Sequence, residues 1–414
     1  MENKIKLHKR LVVIGGGAAG FFCAVNAARL NKSLEVIIVE KSSKLLSKVK
    51  ISGGGRCNVT HGCFEIEEII RRYPRGSNFL KKAFHQFFTT DTVKWFEQRG
   101  VPLKIEPDGR MFPLSDSSQS IADCLLNEAA KYRVKIILSK EVKKLSTDKG
   151  LFQIEYADHE KMDSDFVCIA CGGYPKAAMF EWIKQLEHTI EDPVPSLFTF
   201  NIPGNSITQL MGVVAENTSI KIVGTKLKET GPLLITHWGL SGPAVLKLSA
   251  WGARQLSLIN WKFTIQINWL ANYNEQALQE RFKQLRFEIA AQKMSTKNSF
   301  GIPARLWDFL LKHSGIKDET RWADLNLREQ NLLIRNLYSF ESTVEGKTTY
   351  KEEFVTAGGI QLNEVDANTM MSKKIPNLFF AGEILDVDGI TGGYNFQHAW
   401  TSGFIAAKAI ASAM

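Results

Sequence analysis

The chain has 414 residues, 44% of them hydrophobic and 23% charged, which is the balance of a folded globular protein and excludes a disordered or fibrous one. No apolar run reaches the roughly 18 residues that a membrane-spanning helix needs. The formal net charge of +9 raises the possibility of a polyanionic partner, but the basic residues are dispersed, as from Lys41 to Lys50 and from Lys140 to Lys144. A solvated basic face is the simpler reading, which disfavours nucleic acid as a partner.

Lys4, Lys6, Lys9 and Arg10 followed by apolar residues up to Ala28 imitate a secretory signal. A better account exists for the same stretch. Leu11 to Ile14 reads as a short buried strand, Gly15-Gly16-Gly17-Ala18-Ala19-Gly20 as a turn, Phe21 to Leu30 as a small-residue helix, and Leu34 to Val39 as a second strand ending in Glu40. That is a dinucleotide-binding βαβ unit. Gly15 permits the tight turn, Gly17 lets backbone approach a pyrophosphate, and Gly20 lets helix and strand pack closely. Helix-start N–H groups then hold the phosphates. Glu40, twenty residues past Gly20, accepts from an adenosine ribose. A carboxylate there disfavours a ribose 2′-phosphate, so FAD or NAD is expected in preference to NADP.

Next come a glycine-rich loop (Ser52 to Asn58), a helical stretch from Asn78 to Gln98, and a hairpin from Val101 turning at Pro107-Asp108-Gly109-Arg110. A helix from Ser118 to Lys131 follows, with strands at 134–138, 152–156 and 165–170. Strand-like runs follow at 219–223, 233–236 and 263–267, then a polar, helix-forming stretch from Asn274 to about Leu337. α/β character returns at 354–360, at the strand Asn377 to Ala381, and in a final small-residue helix. The expected division is therefore an FAD-binding domain built from 1–192 and 341–414, interrupted by a β-rich insert (193–270) and a helical insert (271–340). The six cysteines all lie in the first 171 residues and form no dense disulfide framework, which fits a reducing cytoplasm. No HExxH, clustered His/Cys spacing or Walker loop is present, so no metal or ATP chemistry is expected.

The strand running into Gly382-Glu383 just before the last helix is what a flavin site needs. The glycine lets the strand end approach the ribityl-phosphate and the carboxylate accepts from a ribityl hydroxyl. Gly392-Gly393-Tyr394-Asn395 then opens a helix whose N–H groups suit the flavin N1/C2 edge. Three stretches, Ile51-Ser52-Gly53-Gly54-Gly55-Arg56-Cys57-Asn58-Val59-Thr60, Ala381-Gly382-Glu383-Ile384-Leu385-Asp386-Val387-Asp388-Gly389 and Gly392-Gly393-Tyr394-Asn395-Phe396-Gln397, resemble the BaiN/RdsA family of FAD-dependent oxidoreductases, which includes aminoacetone oxidase-like proteins. The resemblance runs from about residue 10 to the C-terminus. It implies an α/β fold, a Rossmann-like FAD domain of the glutathione-reductase type with an inserted β-barrel-like portion and a helical portion.

The resemblance also implies how the cofactor is shared out. Gly15, Gly17, Ala18, Ala19 and Gly20 take the pyrophosphate, and Glu40 and Lys41 the adenosine side. Val142 meets the adenine through its backbone. Ser52, Arg56, Cys57 and Asn58 lie along the ribityl-flavin edge. Gly172 and Gly173 pass the cofactor closely. Gly382, Glu383, Gly393, Asn395, Phe396 and Gln397 close over ribityl and ring. A fixed cation such as Arg56 makes charge-assisted hydrogen bonds to phosphate or flavin oxygens.

The expected reaction is hydride transfer through flavin N5, between NAD(P)H or an organic donor and a small organic acceptor or oxygen. The resemblance points to reduction of a C=C bond beside a carbonyl or to oxidation of a small amine. No second GxGxxG follows a strand, so NAD(P)H is expected to bind transiently in the substrate cleft, where residues such as Tyr394, Trp238 and His237 are expected to select the substrate. Two alternatives stay open. One is an FAD-containing tRNA-binding or tRNA-modifying protein, motivated by the charge. The other is a flavin disulfide reductase, motivated by Cys57 with Cys63 and by Cys168-Ile169-Ala170-Cys171. The first pair has the wrong spacing for a redox disulfide, and the second ends a strand where nothing stabilises a thiolate, so packed, inert thiols are expected.

Overall fold

The strand Arg10–Ile14 is apolar on both faces and hydrogen-bonded on both edges, so it must be central. A computed structural model of the protein describes residues 9–148, 150–349 and 355–413. In it, five parallel strands lie side by side in the order Lys135–Ile137, Glu35–Val39, Arg10–Ile14, Phe166–Ile169 and Leu378–Phe380. The chain thus runs outward from the first strand on one side, then returns and runs outward on the other. A crevice opens at the strand C-termini where that order reverses.

The helix Ala18–Leu30 packs along the last helix, Tyr394–Ser412, so the two ends of the chain share one core. Small residues allow the approach: a Cβ at Gly403 would stand 2.7 Å from the Ala19 carbonyl oxygen. The expected helix at 78–98 is two helices, Ser77–Phe84 and Thr89–Glu97. The second starts afresh because the Asp91 carboxylate accepts the Phe88 N–H at 2.8 Å, a capping interaction that the sequence reading overlooked. The hairpin Leu103–Ile105 with Arg110–Pro113 and the helix Ser118–Lys131 stand where the sequence placed them.

Residues 1–196 and 351–414 form one compact unit and 197–350 another. The second unit is, among the described residues, a seven-stranded antiparallel sheet with four α-helices, Pro243–Leu258, Glu275–Glu288, Ala304–His313 and Leu327–Tyr338. The first of these was not read from sequence. Its Pro243 occupies the first turn, where a missing N–H costs nothing. Strand Phe340–Glu345 returns after the helices to pair with Lys262–Asn268, so one hydrophobic core spans both sheet and helices. No helix among the described residues is long and apolar enough to cross a membrane.

Candidate FAD site

Gly15 has φ +117°, and a Cβ there would meet the Ala170 carbonyl oxygen at 2.4 Å, so the turn out of the first strand requires glycine. A Cβ at Gly20 would stand 2.0 Å from the Gly15 carbonyl oxygen, so helix and strand touch through that position. Gly17 differs: nothing lies within 4 Å of where its Cβ would be. It caps the helix Ala18–Leu30 without a side-chain hydrogen bond, leaving an open corner at a positive helix end. A diphosphate fits there.

Glu40 braces this turn, with Oε2 accepting the Gly16 N–H at 2.8 Å and Oε1 the Ser42 N–H at 2.9 Å. Each carboxylate oxygen keeps a lone pair for a ribose hydroxyl. Beside it lies a cavity of about 390 Å³ whose walls include Gly15, Glu40, Lys41, Val142, Tyr174 and Trp182. The residues assigned to the adenosine side therefore surround one recess, of a volume typical of small-molecule sites.

On the far side of the helix start, Gly382 has φ +76°, and a Cβ there would stand 2.7 Å from the Ala19 Cβ. The last helix clamps this glycine twice. Ser402 Oγ accepts its N–H at 2.9 Å, and His398 Nε2 lies 3.1 Å from its carbonyl oxygen. His398 is fully buried, and that burial lowers its pKa to about 4, so the ring is neutral and Nε2–H is the donor. Glu383 Oε1 accepts the Thr356 N–H at 2.9 Å, while Oε2 pairs with Lys48 Nζ at 2.6 Å. Gly173 passes so close that a Cβ would stand 2.7 Å from Glu383 Oε1; Gly172, at φ +77°, has open space beside it. The glutamate side chain spans both partners.

The glycine-rich loop meets the last helix at a third junction. With its amide nitrogen donating to the Thr60 carbonyl at 3.1 Å, Asn58 accepts the Gly393 N–H at 2.9 Å. Gly393 caps the last helix at φ +93°, and a Cβ there would lie 2.4 Å from the Thr60 carbonyl. Several side chains expected to face the cofactor are instead spent on the protein. Gln397 is fully buried: its Oε1 accepts from Thr60 Oγ1 (2.6 Å) and Thr92 Oγ1 (3.0 Å), and its Nε2 donates to Thr401 Oγ1 (3.0 Å). Asn395 exchanges two hydrogen bonds with the Gly389 backbone, at 2.8 and 2.9 Å. Phe396 stacks on Trp400, and Ser52 Oγ donates to the Val49 carbonyl. Arg56 stacks on Phe112, 3.9 Å from the ring centroid, and gives Nη1 to Glu106 at 2.6 Å. Ser52 and Arg56 lie in the glycine-rich loop, whereas Asn395, Phe396 and Gln397 lie in the first turn of the last helix.

Sequence reading missed Lys48, Thr356 and Ser402. Lys48 and Glu383 lie 335 positions apart, and no local pattern links them. In the other unit, the rings of His237 and Trp238 stand 4.0 Å apart, and Trp238 Nε1 donates to Thr199 Oγ1 at 3.2 Å.

All six thiols are unpaired. Burial pushes Cys57 up to about 12 and Cys171 up to about 11 and raises Cys63, while the neighbouring Cys23 thiol and burial raise Cys168. A redox pair needs a lowered value. Among the described residues no group of three His, Cys, Asp or Glu is placed to hold a metal ion.

The model of the HI0933-like protein Rossmann domain matches residues 9–409. The chain belongs to the HI0933-like family. A 3-dehydro-bile acid delta(4,6)-reductase of Clostridium scindens is 28% identical over 413 residues, covering 97% of this chain and 99% of its own. A ribosomal RNA dihydrouridine synthase of Escherichia coli is 29% identical over 414 residues, covering 97% and 98%. Among solved structures, the open conformation of a flavocytochrome c3 fumarate reductase matches with TM-score 0.50 at 16% identity, over 98% of this chain and 78% of that one. A 3-ketosteroid delta1-dehydrogenase from Sterolibacterium denitrificans matches with TM-score 0.50 at 13% identity, over 98% and 99%. These two likenesses carry the fold. This HI0933-like protein is an FAD-dependent oxidoreductase, and the corner at Gly17, the recess at Glu40 and the clamped Gly382-Glu383 fit its cofactor.

Proposed function

We propose that the enzyme reduces a carbon–carbon double bond conjugated to a carbonyl, and that its substrate is a uracil base in RNA. The observation that carries this reading is the chemistry shared by relatives aligned over nearly the whole chain. A Δ4 bond beside a 3-oxo group and the C5=C6 bond beside the C4 carbonyl of uracil pose one problem: hydride to the β-carbon and a proton to the α-carbon. FAD, held at the Gly17 corner, the Glu40 recess and the Gly382-Glu383 turn, would supply hydride chemistry there, with a reduced nicotinamide as the electron source. The chain's part is to hold that cofactor and to orient the conjugated carbonyl against it.

Two features favour RNA over a steroid acid. The net charge of +9 suits a polyanion and works against neither hydride delivery nor cofactor binding. Ribosomal RNA dihydrouridine synthase is also the name of the relatives in both Escherichia coli and Haemophilus influenzae. This takes up the nucleic-acid alternative that dispersed charge had disfavoured, with RNA of the ribosome in place of tRNA. Unpaired thiols support a reducing, cytoplasmic compartment. Raised thiol pKa values speak against the disulfide-reductase alternative.

The test is anaerobic incubation of holoenzyme and reduced nicotinamide with unmodified ribosomal RNA, in parallel with a 3-oxo-Δ4 steroid. Nucleosides are then analysed by mass spectrometry. Uridine heavier by two hydrogens is the expected product. A reduced steroid with unchanged RNA would move the substrate to the bile-acid class. No product from either, with flavin that bleaches normally, would remove the reading.

A further inference from the structure

We propose that the Lys48–Glu383 ion pair is a strap across the start of the helix Ala18–Leu30, and that Lys48 governs how fast FAD leaves. The two residues come to that point from opposite sides. Lys48 begins two residues after Leu46, whose N–H donates to the Gly16 carbonyl at 2.9 Å, and the Leu45 side chain lies 2.6 Å from where a Gly16 Cβ would be. Glu383 directly follows Gly382, which abuts Ala19. Between Gly16 and Ala19 lies Gly17, the open corner. The ion pair at 2.6 Å therefore joins the segments flanking that corner, and a diphosphate seated there is bounded by helix-start N–H groups and by the Lys48 ammonium that Glu383 holds in place.

The partners are unequal. Glu383 is 17% exposed and tied to the Thr356 N–H, so it is the fixed post. Lys48 is 45% exposed on a flexible stem, so it is the part that swings away, and solvent ions compete for it. FAD release then requires the pair to separate, and salt speeds it.

Holoenzyme diluted into FAD-free buffer reports release as a rise in flavin fluorescence, measured at low and high salt. Lys48→Met keeps the stem and removes the charge. It is expected to release FAD about tenfold faster, with most of the wild-type salt response gone and the visible spectrum of bound flavin unchanged. Lys48→Arg restores slow release. In a Glu383→Gln background, Lys48→Met adds little, because the post no longer holds the strap. Wild-type release with an unaltered salt response in Lys48→Met would overturn the proposal. So would equal acceleration by Lys48→Met in both backgrounds, which would make Lys48 act without Glu383.

Discussion

Gly17 and Gly20 stand three positions apart in one turn and are glycine for opposite reasons. A methyl group at Gly20 would collide with the Gly15 carbonyl, whereas one at Gly17 enters open space. Gly20→Ala is therefore expected to lose about 1–3 kcal/mol of stability through overpacking, seen as a lowered melting temperature. Gly17→Ala should melt as the wild type does without cofactor yet bind FAD more weakly in a fluorescence titration. His398 makes a second prediction. Its ordinary pKa of 6.5 falls to about 4 on burial, so between these values the unfolded chain holds a proton that the folded chain refuses. Stability is full above pH 6.5 and declines as pH falls towards 4, by roughly 3 kcal/mol in all. Burial lowers His188 as well, with the same sign. Denaturant midpoints at pH 7 and 4.5 should fall further in the wild type than in His398→Gln, and equal falls would show that His398 contributes nothing.

At the scale of elements, the last helix holds the site together from its buried face. Gln397 ties it to Thr60 after the glycine loop and to Thr92 in the helix Thr89–Glu97. Gln397→Ala strands two buried hydroxyls and is expected to cost about 2 kcal/mol in urea unfolding. Had the side chain faced the flavin, the visible spectrum would shift as well; a spectrum unchanged in the variant supports the inward placement. Element geometry also decides the cysteines. Cys168 lies within a central strand, where no helix dipole lowers its pKa, and Cys57 is sealed in the loop. Paired replacements by serine, at Cys57 with Cys63 and at Cys168 with Cys171, should leave nicotinamide-driven flavin reduction within about threefold of wild type. Abolished turnover in either would revive the disulfide-reductase reading.

For the molecule as a whole, residues 197–350 carry their own sheet, helices and core, and their largest buried side chains (Trp269, Trp307 and Trp322) lie within it. That segment expressed alone is expected to unfold cooperatively, by coincident tryptophan fluorescence and circular dichroism. The residue 1–196 piece alone lacks the fifth strand and the last helix, and should not fold. A dispersed charge of +9 makes a further demand if RNA is the substrate. RNA affinity should fall steeply with salt, with a slope equal to several released counterions, while a steroid would bind almost independently of salt.

Local chemistry fixes local form, and so the opening βαβ unit and the need for glycine at positions 15 and 20 were readable from residue order. Each is settled by neighbours within one turn or one strand. The helix break at Phe88, the helix at Pro243 and the inward rotation of Gln397 and Asn395 were not. Amphipathic and small-residue stretches are compatible with more than one packing until their partners arrive from elsewhere in the chain. The pairing of Lys48 with Glu383 is the extreme case, since 335 positions of chain must fold before the two charges meet. Backbone geometry is written in the sequence because sterics act between neighbours. Which side chains are spent on the protein and which are left for the cofactor is decided only by tertiary contact, because burial and partners exist only once the core has closed.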